Sequence, residues 1–185
     1  LGLRLVLQAM GVKTIEKAGL EADDLLGTLA KRCEEMGMEV SVISGDRDLL
    51  QLATEHVKIR IPKTKQGKTE IEDYYAADVK ARYQVTPEEF IDLKALMGDT
   101  SDNIPGVPSI GEKTATKIIT EYGSIENAYA HVTELKPPRA SKALSEHYDL
   151  AQMSKVLATI HVNTDFEYEI ADAKLGDLYT EEAYV

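Results

Sequence analysis

The stretch that most restricts how this chain folds is residues 22–44. Ala22, Leu25, Leu26, Leu29, Ala30, Cys33 and Met36 recur at helical spacing, and Gly37 supplies the stop. The next residues, EVSVIS at 39–44, read as a buried strand that breaks off at Gly45-Asp46. An apolar helix face followed at once by a buried strand belongs to layered α/β packing. VKTI at 12–15 reads as a further short strand, after a helix end at 3–10 closed by Gly11. Strand, helix and strand in that order predict a βαβ unit with a parallel sheet. Asp48 then opens a short helix with Leu49, Leu50 and Leu52, and residues 57–62 and 68–73 read as a hairpin around Lys65-Gln-Gly67.

Beyond residue 74 the pattern is almost wholly helical, with helices expected at 75–83, 87–97, 112–122, 124–131, 139–146 and 148–158. A short strand is expected at 166–170, and the tail from Asp172 reads as an acidic linker. The expected fold class is therefore α/β: a partial parallel sheet flanked by helices, then an all-helical part. The expected division is 1–85, 86–162 and 163–185. The 185 residues suffice for one large domain or two small ones. The single cysteine, Cys33, reads as core; with no disulfide possible within the chain, a reducing cytosol fits. No apolar run approaches the ~18 residues that span a bilayer, so no membrane partner is expected. The first residues lack a signal-peptide layout and do not begin with Met, which implies a fragment.

A net charge of −11 argues against a generic nucleic-acid binder, but its distribution matters more. Residues 163–185 hold seven acids and one base, whereas 108–155 hold six of each. Seven further acids form three tight groups: Glu21, Asp23 and Asp24; Asp46 and Asp48; Asp99 and Asp102. Glu21 and Asp24 share a face at a helix start. Asp46 stands at the C-terminal end of a strand, where α/β sheets place ligand crevices, and Asp48 is two residues on. Asp99 and Asp102 are three apart at a helix end. Oxygen-only ligands of this kind suit Mg²⁺ or Mn²⁺ rather than zinc, and two such ions ~3.5–4 Å apart serve in-line phosphodiester hydrolysis. Each group also has a local reading. Acids at a helix start complement the macrodipole, and Asp99 and Asp102 fit turns or caps. Asp46-Arg-Asp48 matches the DxD of haloacid-dehalogenase-like phosphatases, although Leu49 stands where those enzymes have Thr or Val.

Gly106-Val107-Pro108-Ser109-Ile110-Gly111 precedes a helix carrying Lys113, Thr114 and Lys117. A glycine turn opening a helix presents backbone N–H groups to a phosphate, and the two lysines lie four apart on one face. This is the layout of a helix–hairpin–helix that grips duplex DNA by its backbone; an ordinary interhelix turn fits equally. Lys136, Arg139 and Lys142 either extend a phosphate track or are solvated. The four histidines have no ligand spacing.

Together, EADDLLGTLA from Glu21, ISGDRDLLQL from Ile43, LMGDTSDNIPGVPSIGEKTA from Leu96 and MSKVLATI from Met153 closely resemble the flap endonuclease family, in the branch formed by the 5′→3′ exonuclease domains of bacterial DNA polymerase I. The likeness runs from about residue 3 to about 170. It implies a PIN-like and flap-nuclease-like core and hydrolysis of phosphodiesters in 5′ flaps and nicked duplexes with two divalent ions. Glu21 and Asp23, with Asp24 adjacent, resemble ligands of the first ion. Asp46, Asp48, Asp99 and Asp102 resemble those of the second. Residues 106–117, including Gly106, Val107, Ser109, Ile110, Gly111, Lys113, Thr114 and Lys117, resemble the duplex-binding hairpin, where relatives also hold K⁺. The implied partners are duplex DNA with a flap or nick and a downstream polymerase domain, in a bacterial cytoplasm at the nucleoid.

The family begins with two strands, each ending in a metal-binding Asp, and a basic helical arch. No Asp precedes Glu21 here. The resemblance therefore implies a missing N-terminal segment as a further partner, and these 185 residues alone are expected to be inert or nearly so. Two other readings are a non-catalytic duplex-DNA-binding module and a PIN-type ribonuclease. The hairpin argues against the ribonuclease.

Overall fold

The computed structural model describes residues 2–65 and 67–174. Helix α1 (Gly2–Ala9) buries none of its residues. Helix α2 (Ala22–Glu35) follows an extended Glu21 and buries Leu25, Gly27, Thr28 and Ala30. Strand β1 (Val40–Ile43) pairs in parallel with β2 (Val57–Lys65), Val40 opposite Val57. The crossover is a 3-10 helix, Asp48–Leu52, whose Leu49 and Leu50 are fully buried beneath the sheet. Strand β3 (Lys68–Tyr74) returns antiparallel to β2, so the three-stranded sheet is mixed, in the order β1-β2-β3.

The helical part follows the apolar spacing closely. Helix α3 (Ala76–Tyr83) ends at Gln84 in the left-handed region. Thr86 and Glu89 form a reciprocal capping box at the start of α4 (Pro87–Met97), with Pro87 in its first turn. Helix α4 is the central strut: Phe90, Asp92, Leu93, Lys94, Ala95 and Leu96 are all buried. Around it lie α5 (Glu112–Tyr122), α6 (Ile125–Ala130), α7 (Pro138–Glu146) and α8 (Tyr148–Ala158). One continuous core runs from Val42 and Ile59 in the sheet through Leu93 and Leu96 to Ile118, Ile119 and Leu144.

After α8 the chain returns to α2. Thr28 Oγ1 meets Thr164 Oγ1 at 2.7 Å, and Arg32 donates to the carbonyls of Thr164 and Phe166. Gly27 makes this approach possible, because a Cβ there would lie 3.0 Å from Ile160 Cγ2.

Three local expectations are corrected. Residues 12–15 are not a strand, so the parallel pair is β1 with β2 across the 3-10 turn, not a pair flanking α2. Residues 166–170 are not a strand either; they run irregularly into a 3-10 turn at Ile170–Ala173. Both segments carry the β-branched or aromatic residues that strands favour, but neither finds a partner edge among the described residues, and a lone strand leaves its backbone groups unpaired. Cys33 is half-buried rather than core, and burial raises its thiol pKa. Most of the expected acidic linker, 175–185, lies outside the described residues.

Candidate metal centre

The three acid groups are delivered by three different local devices. Glu21 is the extended residue capping α2, and Asp23 and Asp24 lie in that helix's first turn. Beyond β1, the Asp46 N–H donates to Ser44 Oγ at 3.1 Å and Asp46 Oδ1 accepts the Asp48 N–H at 2.8 Å. This turn presents Asp48 at the start of the 3-10 helix. Asp99 follows Gly98, which ends α4 at φ +72°. Paired backbone bonds between Asp99 and Ile104, at 2.9 and 2.8 Å, close the short loop that carries Asp102.

These devices converge. Carboxylate oxygens of Asp48, Asp99 and Asp102 all lie within 4.8 Å of one another. A cavity of about 350 Å³ is lined by Glu21, Asp23, Asp24, Asp46, Asp48 and Asp102. A second cavity of about 600 Å³, which shares Asp46, Asp48 and Asp102 with the first, is also lined by Lys94 and Asp99. All seven acids therefore face one or both of two adjoining cavities. They are not equally free: Asp24 Oδ1 accepts the His161 N–H at 2.9 Å and so also holds the returning chain.

The electrostatics follow from crowding. Burial raises the Asp23 pKa, and the charges of Asp46, Asp48, Glu21 and Asp24 push it the same way. Burial likewise raises Asp48, against the opposing contact of Lys94 and with help from Asp46 and Asp102. Asp99 is held well below the usual range, first by the Lys94 ammonium and then by the Ser101 hydroxyl and N–H. Burial acts to lower Lys94, yet its contacts with Asp48 and Asp99 together outweigh that and its pKa is raised.

One atom tests whether these residues fit a cation. Asp48 Oδ1 is buried and accepts no hydrogen bond. Lys94 Nζ stands 2.6 Å from it as an ammonium–carboxylate ion pair. A buried anionic oxygen amid other carboxylates, with one ammonium as its close partner, is a hard-oxygen environment that suits Mg²⁺ or Mn²⁺.

The hairpin divides into core and surface. Gly106 is buried, and its N–H donates to Ser154 Oγ at 2.9 Å, so it is not available to a phosphate. Val107 and Ile110 turn their side chains into the core. Ser109, Gly111, Lys113 and Lys117 are exposed and Thr114 is half-buried, at the start of α5.

Lys94, Arg47 and Ser154 were not singled out from sequence. Lys94 left one signal: it is the lone cation in α4 and precedes Asp99 by little more than one turn. Ser154 lies in the MSKV stretch, but nothing local shows that it holds Gly106.

Two family models divide the chain. One describes a 5′-3′ exonuclease, N-terminal resolvase-like domain, and matches residues 2–84. The other describes a 5′-3′ exonuclease, C-terminal SAM fold, and matches residues 85–181. The chain belongs to the 5′-3′ exonuclease family. Among members of that family, it is 48% identical to DNA polymerase I of Bacillus caldotenax over 92% of this chain and 19% of that protein. The chain thus spans about a fifth of the length of the curated relatives it matches. In structure it resembles the T5 5′-exonuclease with bound zinc, at TM-score 0.70 and 29% identity, over 80% of this chain and 53% of that one. A T5 flap endonuclease (D155K) pseudo-enzyme–product complex with DNA and metal ions matches at TM-score 0.68 and 28% identity, over 80% and 52%.

Proposed function

We propose that this chain forms part of a metal-dependent 5′-3′ exonuclease and 5′-flap endonuclease that hydrolyses DNA phosphodiesters, joined, as in the DNA polymerase I relatives, to further domains. The observation that carries this reading is the gathering of seven carboxylates from three separate segments around two adjoining cavities. Such crowding is unfavourable unless cations lie among the acids.

In this reading Glu21, Asp23 and Asp24 face one divalent cation, Mg²⁺ or Mn²⁺, and Asp46, Asp48, Asp99 and Asp102 face a second. Cations held there supply the Lewis acidity and positive charge that in-line phosphodiester hydrolysis needs. The chain's own residues do the rest. The Asp46 turn and the Asp99–Ile104 loop fix where Asp48 and Asp102 sit. Lys94 holds Asp48 and Asp99 together. Lys113 and Lys117 on α5, with Ser109, Gly111 and Thr114, take the backbone of duplex DNA bearing a flap or nick. Carbonyls of the hairpin offer a place for K⁺. Among the described residues no helix is long and apolar enough to cross a membrane, and a bacterial cytoplasmic, nucleoid-associated location belongs to the same proposal.

Calorimetric titration with Mn²⁺ tests it. Saturable binding is expected, with strong loss in Asp48→Asn and Asp102→Asn. Duplex binding without any response to Mn²⁺ would favour the non-catalytic DNA-binding module instead.

A further inference from the structure

A cavity of about 500 Å³ adjoins the acid-lined one, and its lining has the opposite sign. Arg47, Arg82, Lys113 and Lys117 face it, with Glu112 as the one acid. Four cations against one anion make a local concentration of positive charge on a chain whose net charge is −11. Arg47, Tyr83, Leu93 and Glu112 line both this cavity and the larger acid-lined one, so the two form one continuous depression.

The two arginines share a neighbour, Tyr83. Arg47 donates to the Tyr83 hydroxyl, and its other nitrogen is 3.9 Å from Glu72. The Arg82 guanidinium lies 5.7 Å from the Tyr83 ring centre. Tyr83 thus contacts both arginines. Lys113 and Lys117 reach the cavity from the first turns of α5. Among the described residues, Arg82, Lys113 and Lys117 form no ion pair. Arg47 and Arg82 lie in the segment matched as the N-terminal domain, the lysines in the other, so the cavity exists only because the two segments pack together.

We propose that this cavity seats a backbone phosphate of the same nucleic-acid strand that is presented to the carboxylates, with Arg82 and Arg47 as positioning residues. The proposal rests on the nuclease reading above and adds a jaw of arginines from the sheet side to the lysines of the hairpin. Guanidinium groups match the forked geometry of a phosphodiester's two free oxygens. Arg47, flanked in sequence by Asp46 and Asp48, ties the phosphate's position to that of the acids.

The test is the salt dependence of duplex binding by the 185-residue chain, read by fluorescence anisotropy with Ca²⁺ present. Each phosphate contact steepens the slope of log K against log salt by about 0.9. Arg82→Gln is expected to flatten the slope by about that amount, and Arg82→Lys to restore most of it. Arg4→Gln, which removes the same charge from α1, is expected to leave the slope unchanged. Arg82 is exposed, and unchanged thermal melting would show that the variants fold. Replacing single phosphates by neutral methylphosphonates should then find one position that weakens the native chain and not Arg82→Gln. A slope for Arg82→Gln equal to that of the native chain would overturn this proposal alone. Failure of the native chain to bind duplex at all would overturn the nuclease reading with it.

Discussion

Lys94 Nζ lies 2.6 Å from Asp48 Oδ1, with only 8% of the lysine side chain exposed. The same ammonium also meets Asp99. A buried cation therefore stands among carboxylates that the proposed function assigns to a divalent ion. Its charge makes the metal-free cluster tolerable, because the Asp48 oxygen has no other partner.

Removing that cation exposes its role. Lys94→Met leaves a buried carboxylate unpaired and is expected to cost the metal-free protein about 3 kcal/mol. Mn²⁺ then has more repulsion to relieve, so the metal-induced rise in melting temperature should exceed that of the native chain. Equal rises in the two proteins would show that Lys94 and the metal do not act on the same charges.

The pKa directions set an unusual acid response. Burial and neighbouring charges raise Asp23 and Asp48 above an aspartate's ordinary value, whereas Lys94 and Ser101 hold Asp99 well below it. As pH falls from 7 toward about 4, Asp23 and Asp48 are protonated more readily folded than unfolded. Repulsion is relieved and the metal-free protein gains stability. Below about pH 4 the contribution of Asp99 is lost as pH falls toward its depressed folded value. Mn²⁺ affinity should weaken over the first window, because protons compete for the same oxygens. Melting curves without metal should show the mild-acid gain in the native chain and a smaller one in Asp48→Asn.

Asp92 is the polar pin of the helical part. It is 6% exposed, and its Oδ1 accepts both the Ile125 N–H at 2.9 Å and Lys155 Nζ at 2.8 Å. Asp92→Ala orphans a buried N–H and strips one partner from Lys155, with an expected cost of about 3 kcal/mol. Lys155→Met should cost less, since Asp92 keeps the Ile125 bond. Urea unfolding of both variants would decide the order.

Two hairpin glycines should differ sharply in how much a methyl group costs. Gly106 has φ +63°, and a Cβ there would lie 2.4 Å from Gly98 N. Gly106→Ala meets backbone on one side and strain of about 1–3 kcal/mol on the other, so a large fall in melting temperature is expected. Gly111 caps α5 with φ −94° and open space around it. Gly111→Ala should cost about 1 kcal/mol or less. Similar losses at both positions would mean that the tight contact between 98 and 106 is not what Gly106 is needed for.

The periodic elements were legible because their cause is local. The apolar stripe of α2 and the glycine stop after Met36 each depend on neighbours within a few residues. The carboxylate groups were legible for the same reason, each standing at the end of an element. VKTI and 166–170 misled because strand patterning states a capacity to pair and not the presence of a partner. Phe166 instead lies under the Arg32 guanidinium, 4.8 Å from its ring centre.

From sequence alone came the helices, the β2–β3 hairpin, the family resemblance and the identities of the seven acids. Only the folded chain decided that Asp48, Asp99 and Asp102 share a cavity and that Lys94 is buried between two of them. It also decided that Gly106 spends its N–H on Ser154 and that arginines from one segment face lysines from the other. Helical and strand periods are written in spacings of two to four residues, whereas the distance between charges far apart in sequence depends on how whole elements pack around α4.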